Sequence, residues 1–261
     1  MVNEFVLELK KRNAALFWFG VFNIFLFALA FTMFFVDDMI IRGINAWIKP
    51  MKFAISITIY AWTFALLTSY IPGQKARNII TRGVIICMFV ENALIYFQAF
   101  RGTTSHFNVY TAFDGAIFSI MGIFIIINSI IILYTLAQFM KKDIQLEPVM
   151  LYAWRLGLLF FFLGGISGGW MSAILTHTVG AVDGGPGLPL INWSTVAGDI
   201  RAAHFVTLHG LQVIPLGAYV LTKVSKQNAG ALVSIFSIAY LGMCVALHWM
   251  AYQGIPVVAL H

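Results

Sequence analysis

Six stretches of this chain contain no Asp, Glu, Lys or Arg: Ala14 to Val36, Phe53 to Ile71, Gly115 to Met140, Leu156 to Val182, Ala202 to Thr222 and Gln227 to His261. A seventh, Gly83 to Phe100, is broken only by Glu91. Crossing the hydrocarbon of a bilayer takes about 20 apolar residues at about 1.5 Å each. The pattern predicts an all-α integral membrane bundle of seven transmembrane helices. The expected spans are 14–36, 51–71, 80–100, 112–139, 152–178, 202–222 and 229–252, forming one domain over residues 1–261. Charged residues make up 10% of the chain, against about 25% in soluble domains, so little is left for a soluble part.

Basic residues set the orientation of such a chain. With the N-terminus inside, the cytoplasmic segments hold eleven: Lys10, Lys11, Arg12, Lys75, Arg77, Arg82, Lys141, Lys142, Arg155, Lys223 and Lys226. The opposite side holds five: Arg42, Lys49, Lys52, Arg101 and Arg201. Eleven against five predicts N-terminus inside and C-terminus outside. The net charge of +6 is what topology requires, and no basic stripe with interleaved aromatics points to nucleic acid. The first span follows Lys10, Lys11 and Arg12 but is too long for a signal peptide and lacks a small-x-small cleavage site, so it is expected to stay as an anchor. Cys87 and Cys244 fall inside spans and are expected to be free, packed thiols.

In that topology every histidine lies in the outer half: His106, His177, His204, His209, His248 and His261. Asp37, Asp38, Asp114, Asp183 and Asp199 gather on the same side. The outer segments are also the richer ones. Residues 37–52 are dense in polar groups around one tryptophan, Trp47, expected at the interface. Residues 178–200 contain Asp-Gly-Gly-Pro-Gly, which excludes a helix there and suggests a lid.

Glu91 is nine residues from Arg82 and ten from Arg101, so it sits about 14 Å deep, near the bilayer midplane. A charge held there costs about 2.5–3.5 kcal/mol or more, which marks Glu91 as a candidate catalytic residue. Gln98 shares its face. The plainer alternative is a protonated Glu91 hydrogen-bonded to Asn23, Asn128 or Gln212. In the sixth span His209 and Gln212 share a face, whereas His204 and His209 are about 140° apart on an ideal helix. Those two cannot chelate one ion unaided, and the spacing is not that of a zinc helix. The fifth span carries Gly164-Gly165 and Gly168-Gly169, small residues four apart that let helices approach closely. Pro215 predicts a kink after His209. Ser105 stands beside His106, but neighbours in a loop seldom point together, so a serine nucleophile is a weak reading.

The stretches Gly-Ile-Asn-Ala-Trp-Ile-Lys-Pro-Met-Lys-Phe, Arg-Gly-Thr-Thr-Ser-His-Phe-Asn and Gly-Asp-Ile-Arg-Ala-Ala-His-Phe-Val-Thr-Leu-His-Gly-Leu-Gln resemble a family of uncharacterised bacterial multi-pass inner-membrane proteins. The resemblance covers most of the chain. It implies a bacterial inner-membrane location and no particular activity. The seventh span has no lysine for a retinal Schiff base, which argues against a rhodopsin.

Three functions remain. The first is a metal-dependent membrane enzyme acting on an amphiphilic or lipid-soluble substrate at the extracytoplasmic side. It would use Glu91, His209 and Asp199 in catalysis, with His106, His204, His209, His248 and Asp114 binding a transition metal (Zn, Fe or Cu). The second is a redox protein holding haem b between His209 and His248 and exchanging electrons with quinone. Arg42, Lys49, Arg101 and Gln212 would then contact the cofactor. The third is a proton-coupled transporter or sensor using Glu91 and His209. Membrane lipids are partners in all three, and a homo-oligomer is left open.

Overall fold

In the computed structural model residues 2–259 are described, and His261 lies outside them. Among the described residues the chain is all-α, with eight helices and four strands of two residues each. The first helix, α1 (Val2–Arg12), precedes the seven apolar ones. It has Glu4 in its first turn and Lys10, Lys11 and Arg12 in its last, the arrangement that offsets a helix dipole at both ends. Then come α2 (Ala14–Val36), α3 (Ile48–Ser69), α4 (Gln74–Phe100), α5 (Ala112–Phe139), α6 (Pro148–Ile174), α7 (Ile200–Val224) and α8 (Ala229–Tyr252). Seven of these, α2 to α8, are long and apolar enough to cross a membrane. Several extend beyond the apolar runs. Thus α4 begins at Gln74 and α6 at Pro148, where a proline at the first helical positions costs no hydrogen bond.

The chain divides into two compact units, residues 1–134 and 135–261. In the first, α2 packs along α3, and α3 along α4. Asn13 caps α2, accepting from the Leu16 N–H, while its amide donates to Thr68 on α3 and Thr81 on α4. At the other end residues 37–47 form a hairpin, with β1 (Ile40–Ile41) antiparallel to β2 (Ile44–Asn45). Arg42 and Gly43 take positive φ in its turn, at 48° and 77°, a region that suits Gly43 and strains Arg42. Trp47, expected at an interface, is fully buried instead. Its indole N–H donates to Asp37 at 2.8 Å, and it packs with Ala30, Met51, Tyr96 and Ala99.

The second unit is built on α6, α7 and α8. Gly157, Gly164 and Gly168 lie along one face of α6, where added Cβ atoms would meet Leu211, Leu208 and His204 of α7 at 3.2, 2.8 and 2.8 Å. The small residues are therefore what lets α6 and α7 pack together. Gly169 faces open space. Pro215 lies inside α7, which stays helical across it. Residues 175–199 contain no helix. They fold over the end of α8, with β3 (Thr178–Val179) paired to β4 (Gly198–Asp199) and a bridge from Gly187 to Ser194. Gly198 approaches so near that an added Cβ would overlap the Ala251 carbonyl oxygen.

Candidate functional site

In the first unit the mid-helix carboxylate and a loop histidine meet. Glu91 is 2% exposed, and its Oε1 lies 3.3 Å from His106 Nε2. Its second oxygen, Oε2, is buried with no hydrogen-bond partner. Neither Asn23 nor Asn128 takes the role of partner: Asn23 accepts from Asn92, and Asn128 from the Tyr60 hydroxyl. His106 belongs to residues 101–111, between α4 and α5. It stands among the rings of Phe53, Phe107 and Phe118 at 5.8–6.2 Å, with its side chain 25% exposed. Its other nitrogen, Nδ1, is 3.2 Å from Ser105 Oγ.

These contacts fit one tautomer. A carboxylate oxygen only accepts, so Nε2 carries the proton, and Nδ1 then accepts from the Ser105 hydroxyl. Two neighbouring residues do point together here. The loop is curled by Asn108, whose amide donates to Thr103 Oγ1 and the Thr104 carbonyl, and by Phe107 at φ 57°. Burial pushes the His106 pKa down, the Lys49 charge pushes it further down, and Glu91 only partly offsets them.

Asp114 belongs to a separate group in the same unit. It accepts from Gln98 at 3.0 Å and Arg101 at 2.6 Å through Oδ1, and from Thr111 at 2.8 Å through Oδ2. Thr111 in turn accepts from the Asp114 N–H. This reciprocal pair caps the start of α5. The Arg101 guanidinium lies over Phe113 and Phe97, and Lys49 lies over Phe53 at 5.8 Å.

In the second unit a loop cluster forms around His177, which the sequence reading did not single out as a site residue. His177 Nδ1 is 3.2 Å from Asp183 Oδ1 and 4.0 Å from Asp199 Oδ1. Asp183 Oδ1 also accepts from Thr176 Oγ1 and from the N–H groups of His177 and Thr178. Burial raises the Asp183 pKa, but the His177 ring and these hydrogen bonds together outweigh it and hold the carboxyl below its usual value. Asp199 is the N-cap of α7. It accepts from the Arg201 N–H, from the Arg201 guanidinium through both oxygens, and from the Ser194 N–H. Arg201 also donates to the Asn192 carbonyl.

The remaining histidines of this unit lie along α7 and α8. His204 Nδ1 is 2.8 Å from the Gly164 carbonyl, and His248 Nδ1 is 2.8 Å from the Cys244 carbonyl. A carbonyl only accepts, so both rings donate from Nδ1. The Nε2 of His248 is then an acceptor, 2.9 Å from Ser167 Oγ. Ser167 is the one hydroxyl between the glycine pairs of α6, and that is the signal which would have found it. His209 makes a longer contact, 3.4 Å, with Gln212 Oε1, and its ring packs on Phe205. Among the described residues no three His, Cys, Asp or Glu side chains converge to hold a metal ion. Cys87 and Cys244 are free and buried. Comparison with protein-family models, curated proteins and solved structures finds no match to this chain.

Proposed function

We propose that this is a proton-coupled transporter or sensor of the bacterial inner membrane, N-terminus inside, in which Glu91 and His106 take up and release the proton. The observation that carries the reading is the half-satisfied Glu91 carboxyl, with Oε1 on His106 and Oε2 buried and bare. Buried polar atoms are normally hydrogen-bonded, and ionisable groups in membrane helices are normally paired. A carboxylate with an empty lone-pair site has room for a proton. His106 reaches the exposed side of the pair, and Ser105 completes a line of exchangeable protons to it. The sequence reading paired Glu91 with His209. The observed partner of Glu91 is His106, and the proposal follows that contact. Orientation rests on the eleven against five basic residues, and location on the family resemblance.

The test is infrared difference spectroscopy on the purified full chain in lipid, between neutral and acid pH. The expected result is a protonated-carboxyl C=O band that grows on acidification, vanishes in Glu91→Gln and shifts in His106→Asn. An unchanged band in Glu91→Gln removes the reading.

A second reading, metal-dependent or haem chemistry in the second unit, is favoured by one observation. His204 and His248 both donate from Nδ1 to backbone carbonyls, which fixes the tautomer that turns Nε2 outward as a ligand. Ligation by His248 would displace Ser167. Elemental analysis and a visible spectrum of the purified protein decide it: bound zinc, iron or copper, or a haem band, moves this reading to the front.

A further inference from the structure

Between α2 and α4 of the first unit lies a cleft of about 230 Å³, whose lining includes Phe19, Phe22, Leu26, Phe89, Phe100 and Asn92. Phe22, Phe89 and Phe100 are exposed at its rim, so it opens on the apolar surface. It is separate from the proton pair and stands without it.

Its polar lining residues are Tyr96, whose hydroxyl donates to the Leu26 carbonyl, and the amide pair Asn23 and Asn92. Asn23 Nδ2 donates to the Phe19 carbonyl at 2.8 Å. A carbonyl cannot donate, so Asn23 turns Oδ1 towards Asn92, and Asn92 must answer with Nδ2, at 2.7 Å. The leftover atom is Asn92 Oδ1. Asn92 is 1% exposed, and that oxygen has no hydrogen-bond partner. The chain of amides thus ends in a bare acceptor beside an apolar, ring-lined space.

We propose that this cleft binds a membrane-dissolved aromatic alcohol, a phenol or quinol head, whose hydroxyl donates to Asn92 Oδ1. Only a donor satisfies that oxygen, which excludes the oxidised quinone. A charged ammonium donor is disfavoured at this depth, which leaves a neutral donor, the role a phenol or quinol hydroxyl fills. The size agrees: a dry cavity of about 150 Å³ takes benzene, so about 230 Å³ suits one substituted ring, with any tail leaving past the exposed rim. Aromatic walls favour edge and offset contacts with such a ring.

The experiment titrates the full chain in nanodiscs with para-hexylphenol and, separately, with its methyl ether, following intrinsic fluorescence and thermal stability. The two probes share shape and hydrophobicity and differ in the donor. Saturable binding of the phenol, about tenfold tighter than the ether, is expected. Asn92→Leu should reduce phenol binding to the level of the ether. Ala93→Leu, which adds bulk at the cleft without touching the two amides, should weaken both probes and covers the case in which Asn92→Leu does not fold. Equal affinity for phenol and ether, uptake of the phenol that never saturates, or phenol binding unchanged in a folded Asn92→Leu or Ala93→Leu protein each overturns the proposal.

Discussion

Glu91 in the first unit and Asp199 in the second are both buried carboxylates, at 2% and 1% exposed, and they are satisfied to very different degrees. Asp199 uses both oxygens, on the Ser194 N–H, the Arg201 N–H and the Arg201 guanidinium. Glu91 has one histidine contact and one bare oxygen. His204 and His248 are pinned by backbone carbonyls, whereas His106, like His177 of the second unit, is held by a carboxylate and a hydroxyl. A fully bonded carboxylate anchors structure. A half-bonded one leaves a place for a proton. The contrast separates a carboxylate bonded through both oxygens in the second unit from one bonded through a single oxygen in the first.

The largest effect should come from Asp199→Ala. It removes the cap of α7, leaves the Arg201 guanidinium without its carboxylate and strands the buried Ser194 N–H. A loss of about 3 kcal/mol is expected, at the low end of the range for buried pairs because Arg201 is partly exposed. Thermal unfolding in detergent measures it. A loss under about 1 kcal/mol would mean that the bonds to Asp199 anchor nothing, and the comparison would break at its stronger end.

Next in size is a glycine pair on α6. Gly168→Ala places a Cβ 2.8 Å from His204 Cε1, and that ring cannot swing away without losing Gly164. About 1–2 kcal/mol of destabilisation is expected. Gly169→Ala meets nothing within 4 Å and should be neutral or stabilising by up to about 1 kcal/mol, since alanine is the better helix former. Equal melting temperatures for the two variants would show that His204 is not held.

Much of this was legible in the sequence, and the rest had a physical reason to be hidden. Long uninterrupted apolar runs point to helices because lipid admits only segments that satisfy their own backbone, helices or closed barrels, and the seven long apolar helices follow from that composition. Glu91 stood out because one carboxyl in such a run is costly. His106 stood out only as a metal ligand; its pairing with Glu91 did not show, because it reaches Glu91 through a loop curled by Asn108 and a positive φ at Phe107, neither of which has periodicity. Asp199 and Asp114 read as site residues for their charge alone. Their capping roles depend on Ser194 and Thr111, which acquire meaning only once the helix starts are known. Trp47 looked interfacial because its partner, Asp37, is ten residues away across a hairpin.

Acid should separate the two units in sequence. The folded His106 pKa lies below its ordinary 6.5, so between those values the unfolded chain binds more protons than the folded one. Stability from this group is complete above about 6.5 and is lost as pH falls through the folded pKa. The Asp183 pKa is likewise below its ordinary 3.8, so its contribution is present above that value and is lost at lower pH. Melting temperature against pH should show two declines. His106→Asn should remove the upper one, and Asp183→Asn should reduce the lower one while leaving the upper in place. A single decline, insensitive to His106→Asn, would place no titration at the first unit's histidine.

The smallest change in stability is expected from Glu91→Gln. A glutamine Oε1 still accepts from His106 Nε2, so the observed contact survives. Its amide replaces the bare Oε2, which had no hydrogen-bond partner to lose. The cost is an N–H group with no acceptor, offset by removal of a carboxyl from the middle of a long apolar helix, for a net within about 1 kcal/mol of the parent. Asp199→Asn makes the same chemical change where both oxygens are used, and it sets an amide N–H against the Arg201 guanidinium, so it should cost clearly more. The two melting curves, measured side by side, decide what Glu91 is. If Glu91→Gln destabilises as much as Asp199→Asn, Glu91 is an anchoring carboxylate. If it melts with the parent while losing the carboxyl band, the half-bonded group carries a proton rather than the fold.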